Sequence, residues 1–176
     1  MKKTLLVLSL VAITVLGAQA QKARVGLKGG LNFANLDVES DLDSKTGFHF
    51  GAYAELGIGG ISIMPEFLFS TKGAKDVDLS YVEIPVLLKK SFAKVLNVHV
   101  GPQFGFLTKA ENDGADFKET LKGSDISGIF GLGLDIKGVT AGARYVHGLS
   151  NIDDSDSGKT KNKTFQVYVG YKLFGK

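Results

Sequence analysis

The chain has 176 residues, enough for one domain, and neither a shift in composition nor a linker indicates a second one. It contains no cysteine, which excludes disulfides and thiol chemistry. Two of the charges behind its formal net charge of +3 come from Lys2 and Lys3, and the other lysines are scattered along the chain, so nothing indicates nucleic acid as a partner.

The first twenty residues have the three parts of a secretory signal peptide. Two lysines are followed by the apolar stretch 5–16 and by the cleavage motif Ala18-Gln19-Ala20. The alternative is an anchoring helix, but an apolar run of this length, interrupted twice by hydroxyl residues, is too short to cross a bilayer. We therefore predict that 1–20 is a cleavable signal peptide and that 21–176 is the mature domain.

After residue 22, apolar residues alternate with glycine and polar residues at a period of two. No later stretch approaches the length of an apolar membrane helix, so a membrane location would require strands. In chain order the predicted strands are 24–36, 47–57, 61–70, 79–89, 96–106, 125–136, 139–149 and 164–173.

The connections between these strands alternate in length. The long polar ones are 37–46, 71–78, 109–124 and 150–162; the short ones are 58–60, 90–94 and 137–138. An even number of strands with loops sorted in this way is typical of bacterial outer-membrane barrels, whose short turns are periplasmic and whose long loops are extracellular. The predicted fold is all-β: an eight-stranded antiparallel up-and-down transmembrane β-barrel.

Alternation alone does not tell which face of the barrel points outward, because a soluble lipocalin-like barrel also has one apolar and one polar face. The apolar set is too bulky for the lumen of eight strands, so we predict that it faces lipid. The other set is rich in glycine, which suits a crowded interior. The alternative function is a secreted soluble barrel that binds an apolar small molecule in its lumen.

Charged residues of both signs fall among the interior glycines. We predict an interior polar network centred on Glu66, Glu83 and Arg144, with Lys28 as a further member, because unpaired charges in so narrow a space are strongly disfavoured. Four more charged residues near strand ends either join this network or meet water at the rims: Arg24, Glu55, Asp135 and Lys172.

Four stretches of the chain resemble the PorT-like outer-membrane β-barrel family. They are VGLKGGLNFANL at 25–36, YVEIPVLLK at 81–89, GPQFG at 101–105 and ARYVHGLSNI at 143–152. Together they span nearly the whole mature chain, in the order that the family has. The resemblance implies an eight-stranded barrel inserted into the outer membrane by the outer-membrane assembly machinery.

No complete catalytic or metal-binding set is found in the sequence. We interpret His49 and His99 as interior hydrogen-bonding residues, and His147 precedes Ser150 without the G-x-S-x-G elbow of a hydrolase. Clustered carboxylates at 37–43 and 153–158 suggest calcium, but neither stretch completes an EF-hand pattern.

The sequence therefore predicts a non-enzymatic, monomeric outer-membrane barrel with a side-chain-filled interior, no cofactor and no metal. Its partners would be outer-membrane lipid and an unknown partner at the external loops, foremost the loop 109–124. A structural part in the envelope and loop-mediated binding both remain open, as does a narrow pore.

Overall fold

The computed structural model describes residues 22–36, 45–74, 77–93, 95–112, 115–116, 123–149 and 162–175. They form nine strands: β1 (Lys22–Leu36), β2 (Lys45–Ile58), β3 (Ile61–Ala74), β4 (Val77–Phe92), β5 (Leu96–Asn112), β6 (Ala115–Asp116), β7 (Ser124–Ile136), β8 (Val139–Gly148) and β9 (Asn162–Gly175). Over these ranges, no helix is long and apolar enough to cross a membrane.

Eight of the strands close into a barrel. Their order is β4-β3-β2-β1-β9-β8-β7-β5, and β5 pairs back with β4, so the sheet has no free edge within this ring. Every pairing between neighbours is antiparallel. The two-residue β6 pairs with the end of β5 and is not part of the ring. The predicted eight-stranded antiparallel barrel is confirmed.

Tight turns at one end of the barrel set the register of two hairpins. Gly59 and Gly60 join β2 to β3 with φ of 60° and 84°, and Lys137 and Gly138 join β7 to β8 with φ of 48° and 92°. Positive φ at both central residues is the type I′ pattern, whose twist matches that of the flanking strands. Together with the connection 93–95 between β4 and β5, these turns define the short-turn end, as the sequence predicted.

At the opposite end, the long-connection end, one predicted long loop is wrong. Strand β3 continues to Ala74 and β4 begins at Val77, and these two residues pair with each other. The prediction placed a loop at 71–78 because the apolar pattern stops there, but backbone pairing does not need apolar side chains. Strand β5 likewise runs on to Asn112, opposite Val77, so the predicted loop 109–124 starts inside a strand.

Side chains alternate between an apolar outer wall and a buried interior. In β9, for example, Phe165, Val169 and Tyr171 are 47%, 59% and 58% exposed. Thr164 and Gln166, the neighbours of Phe165 in sequence, are fully buried. The outward-facing side chains of the other strands are also mostly Phe, Leu, Ile and Val. The predicted outward direction of the apolar face is confirmed. The soluble lipocalin-like alternative is wrong, because it requires this face to point inward.

The interior contains apolar as well as polar side chains. Tyr53, Met64, Leu87, Ile129 and Val146 form one buried apolar cluster. A second cluster lies at the long-connection end and comprises Leu79, Tyr81, Leu107 and Ala110. Between and around them lie buried Lys, Glu, Arg, Asn, Gln and His side chains. The barrel is therefore filled by side chains, in agreement with the narrow lumen of eight strands.

Candidate functional site

The middle of the barrel holds a central cluster built around one carboxylate. Glu66 of β3 forms an ion pair with Lys28 Nζ of β1 through Oε1 and with Arg144 Nη1 of β8 through Oε2, the latter at 2.7 Å. All three side chains are at most 1% exposed. Glu66 therefore links three strands, β1, β3 and β8, through its two ion pairs.

Neutral polar side chains extend the central cluster toward the long-connection end. Arg144 Nε donates to Gln166 Oε1, and Gln166 Nε2 donates to Asn32 Oδ1 at 2.8 Å. Asn32 Nδ2 donates to Ser70 Oγ at 2.9 Å, and His49 Nδ1 lies 2.7 Å from Asn32 Oδ1. The result is a chain of hydrogen bonds across the lumen rather than a set of isolated pairs.

Tyrosine rings border the two cations of this cluster. Lys28 Nζ lies 4.2 Å from the ring centroid of Tyr168 and 5.6 Å from that of Tyr53, and Arg144 Cζ lies 5.8 Å from the Tyr168 centroid. Two cations share a single carboxylate here, so the negative ring faces add stabilisation that the carboxylate alone does not supply.

Glu83, predicted to belong with Glu66 and Arg144, lies in a second cluster nearer the long-connection end. It forms an ion pair with Lys72 Nζ and accepts a hydrogen bond from Gln103 Nε2 at 3.0 Å. In the register of β3 and β4, Glu83 pairs with Leu68 rather than with Glu66. Its carboxylate is therefore displaced along the barrel axis, within reach of Lys72.

A third cluster lies at the short-turn end. Lys89 Nζ lies 3.2 Å from Glu55 Oε2 and 2.7 Å from Asp135 Oδ2, so one cation bridges two carboxylates. Ser62 Oγ donates to Glu55 at 2.9 Å, and Asn97 Nδ2 donates to Asp135 at 3.2 Å. Glu55 is 1% exposed, which places it in the interior rather than in water at the rim.

Sequence reasoning missed Lys72 and Lys89, the cations of the second and third clusters. Lys72 fell in the predicted loop 71–78, and Lys89 was the last residue of a predicted strand. The signal that finds them is the inward period of two, continued beyond the apolar segment of each strand. Lys72 lies an even number of positions after inward-facing Glu66 in β3, and Lys89 an even number after inward-facing Glu83 in β4.

The three histidines do not come together. His49 and His99 are 1% exposed, and their Nδ1 atoms face Asn32 and Asn97. His147 lies on the outer face of β8, where its ring stacks on Tyr145 at 6.2 Å between centroids. Ser150 and the acidic stretches 37–43 and 153–158 lie outside the described residues. Among the side chains that are described, no three His, Asp or Glu are placed to hold a metal ion.

The side chains of this interior close the lumen. Between the central cluster and the short-turn cluster, a cavity of about 20 Å³ is bordered by Lys28, Tyr53, Lys89 and Tyr168. That is room for roughly one water molecule, not for an organic ligand. The buried charges hold opposite walls of the barrel at fixed distances from each other.

Comparison with known proteins agrees with this architecture. The sequence pattern of the family described as "Outer membrane protein beta-barrel domain" matches residues 18–154. A comparison with curated protein sequences gives no match.

Two solved structures have a similar fold. One is Ail, the attachment invasion locus protein of Yersinia pestis, crystallised with the heparin analogue sucrose octasulfate: 14% identity, TM-score 0.53, covering 87% of this chain and 100% of that chain. The other is Neisserial surface protein A: 13% identity, TM-score 0.54, covering 86% of this chain and 99% of that one. At these identities the likeness concerns the fold alone.

Proposed function

Since the chain belongs to the outer membrane protein β-barrel family and is located in the outer membrane, we propose that it is a non-enzymatic envelope protein whose binding is carried by its long loops. The observation that carries the proposal is the combination of an apolar outer wall with a lumen closed by buried ion pairs. With the lumen filled, the surfaces left for recognition are the connections at the ends of the strands.

A non-conducting barrel follows from the same observation. Glu66, Lys28 and Arg144 span the lumen, and an ion that crossed this layer would have to displace buried, mutually paired charges. We expect no single-channel conductance above background when the purified protein is inserted into planar bilayers. Stable, discrete conductance steps would instead favour the narrow pore.

The positions of the histidines support a non-enzymatic role. A general base must reach a substrate proton, but His49 and His99 are buried in the interior and His147 faces outward beside Tyr145. Among the described residues, none of the three is paired with a nucleophilic side chain. Loss of a hydrolytic activity upon His147→Ala substitution would contradict this part of the proposal.

The finer placement in the PorT-like family has support in where its four stretches lie. They fall in β1, β4, β5 and at the end of β8, and they contribute Lys28, Glu83, Gln103 and Arg144 to the interior clusters. We further propose that 1–20 is a signal peptide and that 21–176 is inserted by the outer-membrane assembly machinery as a monomer. The short turns would then be periplasmic.

Replacing a loop tests where function resides. In cells that lack the protein, the phenotype caused by its loss is compared after complementation with the full chain or with a variant whose residues 113–122 are replaced by a short Gly-Ser linker. A variant with the connection 37–44 replaced in the same way is the matched control. We expect the 113–122 variant to insert normally and yet to fail in restoring the parent phenotype. Full restoration would favour a purely structural role.

A further inference from the structure

The short-turn end of the barrel opens into a cavity of about 420 Å³, here called the short-turn mouth. Its lining includes Arg24 of β1, Ser91 of β4, Asp135 of β7, Lys172 of β9 and the turn residues Lys137 and Gly138. The volume is within the range of small-molecule sites, in contrast to the small cavity deeper in the lumen.

Among the described residues that line this mouth, cations outnumber carboxylates. Asp135 is the one carboxylate among the lining residues that the structure describes, and it already forms an ion pair with Lys89 and accepts a hydrogen bond from Asn97. Two lysines, Lys137 and Lys172, share the same lining. A group that neutralises part of this excess would be held by several charge-assisted hydrogen bonds.

The mouth also contains a buried donor that lacks a partner. Among the described residues, the Oγ atom of Ser91 is buried and has no hydrogen-bond partner. A buried hydroxyl without a partner is costly, and a ligand oxygen in the mouth would satisfy it. The combination of two ammonium groups and a hydroxyl is a donor set that suits a phosphate group.

The walls of the mouth are fixed by the backbone. Ser91 N donates to Gly60 O at 2.8 Å, and Lys172 N donates to Gly138 O at 2.7 Å. The backbone that carries Ser91 and Lys172 is therefore held in position before any ligand arrives, which lowers part of the cost of binding.

Apolar side chains on the outer wall, close in sequence to the lining residues, place the mouth at the membrane surface. Ile58, Phe92 and Ile136, each next to or near a lining residue in sequence, are 56%, 47% and 52% exposed on the outer wall. Phe174, after Lys172 in β9, is 72% exposed. Apolar residues that meet lipid at this height put the cations at the level of the headgroups, where negative lipid charge concentrates.

From this geometry we propose that the short-turn mouth binds a phosphate group, carried either by a phospholipid headgroup or by free inorganic phosphate. Lys137 and Lys172 would hold its oxygens, and Ser91 Oγ would donate one further hydrogen bond. Phosphates border both faces of an outer membrane, so the proposal holds whichever way the barrel is oriented.

The test uses the full mature chain refolded in maltoside micelles, which contain no phosphate, at constant ionic strength set by sodium chloride. Phosphatidylglycerol or inorganic phosphate is titrated in, and the amide NMR signals of Ser91, Gly138 and Lys172 are followed. We expect a saturable shift of these signals. The Lys137→Gln/Lys172→Gln variant should bind about tenfold more weakly or worse, as expected for lost charge-assisted hydrogen bonds.

Lys90→Gln is the matched control, since Lys90 neighbours Ser91 but is exposed and is not part of the lining. Saturation by phosphatidylglycerol alone identifies a lipid headgroup as the ligand, and saturation by inorganic phosphate identifies free phosphate. No saturable shift with either probe overturns the proposal. So does an equal loss of affinity in the Lys90→Gln variant, because that result would indicate general charge attraction rather than a built site.

Discussion

Glu66 is the residue on which the balance of the central cluster depends. It is the shared counter-charge of Lys28 and Arg144, and all three side chains are buried. Glu66→Gln removes this charge and leaves two neighbouring cations in the interior. Removing one partner of a buried ion pair typically costs about 3–5 kcal/mol, and we expect a loss of this size in the free energy of unfolding.

The measurement is urea unfolding of the protein in lipid vesicles. The chain has no tryptophan, so circular dichroism or the mobility change on an unboiled detergent gel replaces the usual fluorescence. Exposed Lys90→Gln is the control for loss of a charge, and we expect its effect to stay within about 0.5 kcal/mol. If Glu66→Gln unfolds at the same urea concentration as the parent, the cluster contributes nothing to stability.

How far single residues can be predicted from the sequence depends on their place along a strand. Lys28 and Arg144 lie in the middle of clear alternating segments, where charge on the interior face is easy to recognise. Lys72 and Lys89 lie where the apolar half of the pattern ends, so alternation no longer stands out. That Glu83 pairs with Lys72 depends on the register of β3 and β4, which composition does not encode.

At the level of one strand, β7 provides a matched pair of glycines on opposite faces. A Cβ at Gly131 would lie 2.2 Å from His99 Nε2 and 2.7 Å from Arg144 Cβ, whereas at Gly128 the nearest atom, Leu149 Cδ1, would be 3.9 Å away. Gly131→Ala should therefore cost about 1–3 kcal/mol through overpacking. Gly128→Ala should be neutral or slightly stabilising, by up to about 1 kcal/mol, because it restricts the unfolded chain.

Thermal unfolding in the same vesicles separates these two outcomes, since both variants add one methyl group to the same strand. Equal effects at the two positions would mean that the interior around His99 has room to spare. The comparison also tests the interpretation of the glycine-rich face, because small residues are needed only where side chains from the opposite wall fill the space.

The strands themselves were predictable because one wall of the barrel meets lipid and the other a crowded lumen. That contrast produces a period of two that a single sequence reveals, and the type I′ turns reinforce it with glycine at 60 and 138. Two features escaped prediction. Backbone pairing of β3 with β4 continues beyond the apolar pattern, and Met64, Leu87 and Ile129 are apolar residues that face inward because the lumen itself needs filling.

At the scale of the whole molecule, the apolar outer wall should mark the part of the barrel that lies in the hydrocarbon layer. The cost of placing a charge on this wall should then depend on its depth in the bilayer. Val169 lies near the middle of β9 and Phe174 near its end, and both are exposed on the outer wall, at 59% and 72%. An arginine on the lipid face costs about 2–4 kcal/mol at the bilayer midplane and falls to about 0–1 kcal/mol near the interface. We therefore expect Val169→Arg to destabilise the barrel far more than Phe174→Arg does.

The free energies of both variants come from reversible folding into vesicles without the assembly machinery, so a change in the C-terminal aromatic strand does not confound the result with biogenesis. Since both substitutions place the same charge on the same strand and face, only depth in the bilayer differs between them. Equal costs would mean that the middle of the barrel, at the level of Val169, is not surrounded by hydrocarbon. A larger cost at Val169 would place the interior clusters inside the hydrocarbon layer, where buried ion pairs cannot exchange with bulk water.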